Sequence, residues 1–487
     1  MFLGVDLGTS SVKVVLQDQA GLVVADASAP LTVSRPEPLW SEQDPAEWVS
    51  AAEAAVKGLP AKLRQGVEAV GLSGQMHGPT LLDADGRVLR PAILWNDGRS
   101  HRECHELETR EPRLRDITGN KAMAGFTAPK LLWTRKHEPE TFSKIAKVLL
   151  PKDYLRLAWT GDYATDVSDA SGTLWLDTQH RQWSEDALAA SDMTPAHMPT
   201  LHEGTAFTGS IRASTSARLG LPPVPVVAGG GDQAAGAVGV GVTRPGEASL
   251  SLGTSGVLFI VSDAFKPNPD EAAHAFCHAL PDRWHQMAVL LSAASAVDAA
   301  ARMAGYPTAA EAYAAAEAHG QSDGVMFLPY LSGERTPHDD PFARGAFFGL
   351  SANTRPSSLV HAALEGVAFA FVDGMDALSR AGGIANDITV IGGGARSAYW
   401  GKIISSALGC PLVYREGAET GPAEGAAKLA RIALTGEDAM HVFAPAPVRA
   451  VIEPNAERHE FYGSKIKIWR ELYQRTKALS REETAHG

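Results

Sequence analysis

Residues 2–17 read FLGVDLGTSSVKVVLQ, and residues 248–261 read ASLSLGTSGVLFIV. Each is a β-rich run, a Gly-Thr-Ser turn and a second β-rich run, set half a chain-length apart. The tripeptide alone is common. The matching strand-turn-strand context makes the echo informative, because internal similarity marks duplicated units. It predicts two related α/β lobes, divided near Thr243-Arg244-Pro245-Gly246 into residues 1–243 and 244–487.

Working outward, residues 1–25 read as a β-hairpin or meander closed by a QDQAG turn. A helix is predicted from Asp44, with Asp44 as cap, Pro45 at the first helical position and Glu47 at the capping-box position. Val67–Gly74 and Leu221–Ala228 read as strands, the second running into Gly229-Gly230-Gly231. In the second half a long amphipathic helix opens at Ser357 and stops at Gly382-Gly383. Ile388–Ile391 is then a short strand ending in Gly392-Gly393-Gly394, with a helix near Ala398.

Composition excludes several classes. A chain of 487 residues with 45% hydrophobic and 21% charged residues buries substantial cores, which rules out wholesale disorder and fits two or three domains. Its 44 basic against 56 acidic residues, a net charge of −12, argue against nonspecific nucleic-acid or anionic-membrane partners. Cys104, Cys277 and Cys410 lie far apart and form no CxxC pair, so a reducing cytoplasm is expected. MFLGVDLGTS lacks the basic region and apolar core of a signal peptide. Met287–Val297, read as the most apolar stretch, is too short to span a bilayer.

There is no GxxxxGK[ST], GxSxG, HExxH or protein-kinase signature. Gly229-x-Gly231-x-x-Ala234 resembles a dinucleotide fingerprint between strand and helix. Asp232 counts against it, since a carboxylate would stand where a pyrophosphate needs free backbone N–H groups.

Asp6 interrupts an apolar strand just before Gly8-Thr9-Ser10, a costly place for a carboxylate. It suits a residue that holds hydrated Mg²⁺ beside a phosphate loop, or one that caps the following turn. Thr9, Ser10, Ser11 and Thr254 offer hydroxyls and backbone N–H groups at two turns, and Lys13 adds a point charge. Together these form a candidate clamp on a nucleotide triphosphate. Asp232 after three glycines is either a helix cap or a general base that accepts a hydroxyl proton during phosphoryl transfer. Gln233 beside it suits a polyol or sugar. Met76-His77 and Trp95-Asn96-Asp97-Gly98-Arg99 follow strands at their carboxyl ends, where α/β folds place ligands. Gly392-Gly393-Gly394-Ala395-Arg396-Ser397 makes a second strand-to-helix turn without an acid, suited to close approach of adenosine.

With these motifs in order, the sequence resembles the FGGY carbohydrate kinases of the actin–hexokinase–chaperone ATPase superfamily. The likeness runs from Val5 to about Leu434 and includes GFTAPKLLW (Gly125–Trp133) and Gly345–Glu365. Within the family, SGQMHG (73–78), PAILWND (91–97), WSEQDP (40–45) and SGERTP (332–337) are most similar to the branch acting on xylulose. Glycerol-acting members carry Arg-Glu where this chain has Met76-His77.

The resemblance implies an α/β fold of two ribonuclease-H-like lobes around a cleft. It implies ATP-dependent, Mg²⁺-assisted phosphorylation of a small-molecule sugar, D-xylulose, with no nucleic-acid or membrane partner and a homodimeric state. Carried over by position, it makes Asp232 the catalytic base, with Met76, His77, Asp232 and Gln233 at the sugar and Asp6 at the metal. Thr9, Ser10, Ser11, Lys13 and Thr254 would meet phosphates, and Gly393, Gly394 and Ser397 adenosine. Related kinases often have Asn at the position of Gln233, which leaves individual hydroxyl contacts open. The alternatives are an FGGY kinase for ribulose, a hexulose or glycerol, and an actin- or chaperone-like ATPase.

Overall fold

Valines and leucines alternate with small or polar residues on both sides of Gly8-Thr9-Ser10, a pattern that suits a pleated surface. In the computed structural model, which describes residues 1–416 and 421–486, strand β1 (Phe2–Leu7) pairs antiparallel with β2 (Ser11–Gln17). β2 pairs in turn with β3 (Val23–Pro30), completing the expected meander. Helix α1 (Pro45–Gly58) starts as its sequence requires, with the Asp44 carboxylate accepting the Ala46 N–H and Pro45 in the first turn.

β4 (Ala69–Gly74) then lies parallel to β1. Helices α2 (Thr127–His137), α3 (Pro151–Thr160) and the short α4 (Val167–Ser171) precede β5 (Phe207–Ser210) and β6 (Pro225–Val227). β6 is shorter than the predicted 221–228, because Pro222 and Pro223 have no N–H to donate to a ladder. The sheet order is β5-β6-β4-β1-β2-β3, and Gly230–Gly231 extends it against the end of β4 before α5 (Asp232–Gly239) begins.

The second lobe repeats the plan. β7 (Ala248–Leu252) and β8 (Gly256–Ser262) form the second Gly-Thr-Ser hairpin. β9 (His274–Cys277), β10 (Trp284–Leu290), α6 (Pro356–Arg380), β11 (Ile388–Ile391), α7 (Ala398–Leu408) and β12 (Leu412–Arg415) follow. α8 (Gly421–Thr435), β13 (Val448–Ile452) and α9 (Ala456–His486) end the chain. This sheet runs β9-β10-β8-β7-β11-β12-β13. In both lobes a hairpin has a third antiparallel strand outside it and a parallel strand on the other side, which ends in Gly74 in the first lobe and runs into Gly392 in the second.

Helix α6 is long and apolar enough to cross a bilayer by length and composition, but it is the buried spine of the second core. Met287–Val297 is divided between β10 and the helix after it.

Alternation along β8 joins the two halves. Leu258 and Ile260 face the α6 core, whereas Phe259 and Val261 pack with Phe126 and Leu131 of the first lobe. Helix α8 crosses in the opposite direction onto β1 and β4. A Cβ at Gly4 or Gly71 would lie 1.8 Å from the carbonyl oxygen of Ala423 or Ala426, so this crossing requires both glycines.

Candidate active site

Strand register assembles the first part of the site. Lys13 lies opposite Asp6, Asp6 beside Ser73, and Ser73 beside Gly230, so one row across the sheet ends two residues before Asp232. Asp6 and Asp232 share the cleft floor closely enough to repel each other. Both are half-buried by surface exposure yet deep among protein atoms. Burial, then the Asp232 charge, pushes the Asp6 carboxyl up to about 7, with Ser73 and Lys13 opposing. Burial pushes Asp232 up to about 6 against the backbone N–H and side chain of Gln233.

The alternative roles for these carboxylates find little support. Asp232 is the first residue of α5, and its Oδ1 accepts the Gln233 N–H at 2.7 Å. A cap would instead accept an N–H two or three residues on, so capping does not account for it. The Asp6 carboxylate stands on the row with Lys13 and Ser73, while the turn closes by its own Gly8 N–H to Ser11 carbonyl bond of 3.0 Å. Asp6 Oδ1 is buried with no hydrogen-bond partner among the described residues.

Met76 and His77 stand at the end of β4, against the glycines of two other segments. A Cβ at Gly231 would lie 2.8 Å from Met76 Sδ, and one at Gly172 would lie 2.5 Å from His77 Cε1. His77 has a left-handed backbone, φ 74°, uncommon for a residue with a side chain. Its carbonyl accepts the Thr127 hydroxyl at 3.0 Å and the Lys130 ammonium at 3.1 Å. His77 Nδ1 lies 2.6 Å from the Gly172 carbonyl. A carbonyl only accepts, so Nδ1 carries the proton. Burial lowers the imidazole to about 3, Lys130 and Arg335 adding to the effect, so the ring is neutral and Nε2 is an acceptor.

The phosphate-loop candidates are arranged less uniformly. Thr9 Oγ1 donates to Gln75 Oε1 at 3.1 Å and accepts the Trp95 indole N–H at 3.0 Å. The Gln75 amide donates to Gln43 Oε1 at 2.9 Å. Ser10 is exposed, and Ser11 and Lys13 are half-buried at the start of β2. Thr254 is exposed at the second hairpin turn, where its carbonyl accepts the Ala293 N–H and the Ser295 hydroxyl. Gly393 has open space around it, Gly394 packs on Leu252 and Trp400, and the Ser397 hydroxyl caps α7 by accepting the Trp400 N–H.

Sequence reasoning missed the brace around Thr9 made by Gln43, Gln75 and Trp95, and the Lys130 clamp on His77. Each lies inside a stretch already singled out, but nothing in those stretches says which backbone a side chain reaches.

The donor set fits a hydrated divalent cation. Among the described residues no three His, Cys, Asp or Glu side chains form a ready-made metal cage. An orphaned carboxylate oxygen facing a second carboxylate is what Mg²⁺ uses when it is held mainly by water and substrate phosphates. A cavity of about 760 Å³ is lined by Trp95, Asn96 and Gly125 from the first lobe and Leu291, Ser332 and Arg335 from the second. Neither carboxylate nor His77 lines it, and it adjoins the first hairpin turn through Trp95, whose indole N–H binds Thr9. The candidates thus comprise paired carboxylates and a neutral imidazole acceptor in the first lobe, with one hydroxyl-bearing hairpin turn in each lobe.

Known proteins share this plan. Residues 1–239 match the N-terminal domain, and residues 248–434 the C-terminal domain, of the FGGY family of carbohydrate kinases. Xylulose kinase of Escherichia coli (strain K12) is 53% identical over 477 residues, which cover 97% of this chain and 99% of that one. Xylulose kinase of Klebsiella pneumoniae is 50% identical, covering 98% and 100%. The crystal structure of a "xyloylose kinase" from Brucella ovis superposes with a TM-score of 0.94 at 47% identity, covering 98% of this chain and 99% of that one. The expectation of two α/β lobes of the actin–hexokinase type is borne out. Cleft and likeness agree across both lobes, and the chain belongs to the FGGY family of carbohydrate kinases.

Proposed function

We propose that this enzyme transfers the γ-phosphoryl group of ATP to the 5-hydroxyl of D-xylulose. The observation that carries the reading is the pair of carboxylates, Asp6 on the strand that leads into the first Gly-Thr-Ser turn and Asp232 close enough to repel it. The names of the relatives that are half identical over nearly the full length support the substrate.

Asp232 accepts the hydroxyl proton as the sugar oxygen attacks phosphorus. A carboxyl at about 6 is mostly ionised at neutral pH yet basic enough to serve. His77 Nε2, an acceptor, reads a sugar hydroxyl rather than the ketone oxygen, Gln233 adds a neutral amide, and Met76 packs on the carbon chain. The backbone of the Thr9–Ser11 turn, Lys13 and Thr254 orient the phosphates, with the Thr9 hydroxyl already engaged by Gln75 and Trp95. Gly393 and Gly394 make room for adenosine, and Ser397 shapes that turn through its cap. Asp6 would hold Mg²⁺, which when bound neutralises charge on the phosphoryl oxygens.

A division into lobes at 243/244, a homodimer and a cytoplasmic location belong to the same proposal, and three free thiols suit a reducing compartment. The test is ADP release with Mg·ATP against D-xylulose, L- and D-ribulose, D-fructose and glycerol, with product mass. Turnover confined largely to D-xylulose, with a sugar phosphate formed, is expected. Preference for another polyol would move the substrate within the family. ADP without a phosphorylated product would overturn the sugar-kinase reading.

A further inference from the structure

Behind the Gly229–Gly231 turn lie five ionisable side chains, Lys152, Asp153, Arg156, Asp166 and Asp169, all at 0% exposure. Removing charges from water is expensive, and apolar residues of similar volume often serve stability as well or better. What the cluster holds is therefore more informative than what it contributes to folding.

Helix α3 sets Lys152 and Arg156 one turn apart on the same face. The Lys152 ammonium lies 2.6 Å from Asp153, 2.8 Å from Asp166 and 3.1 Å from Asp169. Burial pushes the Asp169 carboxyl well above the usual range, with the Lys152 ammonium opposing.

Two arms leave this cluster, and both end on the same turn. Arg156 donates to the carbonyls of Val227 at 2.8 Å and Ala228 at 2.5 Å, where β6 runs into the glycines. Asp166 accepts the N–H of Ser168 at 2.7 Å and also its hydroxyl proton. That fixes the direction of the hydroxyl and leaves its oxygen to accept the Gly231 N–H at 3.1 Å. Three consecutive glycines, one at φ 80°, have no side chains of their own to hold them. The residue directly after them is Asp232.

We propose that the buried cluster is a positioning platform for Asp232, acting on its backbone through Arg156 at one end of the turn and through Lys152, Asp166 and Ser168 at the other. This rests on Asp232 being the base. A carboxylate on a loosened turn still meets the sugar, but not at the angle proton transfer requires, and small misplacements are costly in rate.

Ser168→Ala removes one buried hydroxyl and leaves the charges intact. In Mg·ATP assays with D-xylulose, kcat is expected to fall about ten- to a hundredfold, with both KM values within about threefold of wild type. In an Asp232→Asn background the same change should add less than about twofold, because the platform has nothing left to aim. Wild-type kcat in a folded Ser168→Ala protein would overturn the proposal. So would an equal loss in both backgrounds, or a lowered melting temperature with unchanged turnover per folded molecule. Failure of the base reading is separately visible, as near-normal turnover in Asp232→Asn alone.

Discussion

Two triple-glycine turns stand in the two lobes, each between a strand of the parallel layer and a helix, the first after β6, one strand removed from the hairpin, and the second after β11, directly beside it. The first glycine of each is left-handed, φ 80° at Gly229 and 88° at Gly392, and each presses on a neighbouring strand. Beyond that they diverge. The turn at 229–231 is enclosed, with a Cβ at Gly230 or Gly231 meeting Ala279 or Met76 at 3.0 or 2.8 Å, and it delivers a carboxylate. At 392–394 the middle glycine has nothing within 4 Å, and the following helix is capped by a serine. One backbone device thus serves two ends. Held by buried charge, the first turn fixes the carboxylate proposed as the base, and the second, left open, is the one proposed to admit adenosine.

The comparison breaks most sharply at the residue that only the first turn carries. Asp232→Asn is expected to lower kcat about 10²–10⁴-fold, the usual worth of general-base help, with D-xylulose binding retained by calorimetry. Near-normal turnover would make the first turn only another binding loop. Asp6→Asn should act differently, raising KM for Mg·ATP about tenfold or more while D-xylulose affinity stays near wild type. Unchanged nucleotide and metal dependence would remove Asp6 from the metal role.

Acidity separates the turns next. Because Asp232 sits at about 6, kcat/KM should fall about tenfold per unit as pH drops below that value. That limb should be absent from Asp232→Asn. The stability effect has the opposite sense. A carboxyl raised above its unfolded value of 3.8 makes the native state bind the extra proton between about 4 and 6. Its contribution to stability therefore declines as pH rises through that window. Above pH 6, Asp232→Asn should be the more stable protein, by on the order of 1–2 kcal/mol, read as a higher melting temperature. A less stable variant at pH 7.5 would mean that the carboxylate is structural.

Much of this was legible in the chain. Gly8-Thr9-Ser10 and Gly253-Thr254-Ser255 carry the duplication because hairpin turns depend on local residue types, and the Asp44-Pro45 start of α1 is equally local. Asp6 and Asp232 stood out because a carboxylate in an apolar strand or after three glycines is locally anomalous. The supports of the site were not legible. Lys130 reaches the His77 carbonyl across 53 residues, Trp95 reaches Thr9 across 86, and Ser168 reaches Gly231 across 63. Such pairings depend on register and packing, which no local pattern records. Nor does α8 announce itself, since only the close approach of Ala423 and Ala426 reveals what Gly4 and Gly71 are for.

The finest test replaces one glycine in each turn with alanine. At Gly231 the new methyl would fall 2.8 Å from Met76 Sδ and 3.0 Å from its Cγ, so the flexible thioether must shift. Met76 is proposed to line the sugar, so KM for D-xylulose should rise about tenfold, with KM for ATP nearly unchanged. At Gly393 the methyl meets nothing, and the φ there is not left-handed, so the melting temperature should stay within about 1 °C. If adenosine lies against that open face, KM for ATP should rise about threefold and KM for sugar should not. The reverse pattern would exchange the roles of the two turns. An unchanged Gly393→Ala enzyme would leave the second turn as a tight bend and place adenosine elsewhere.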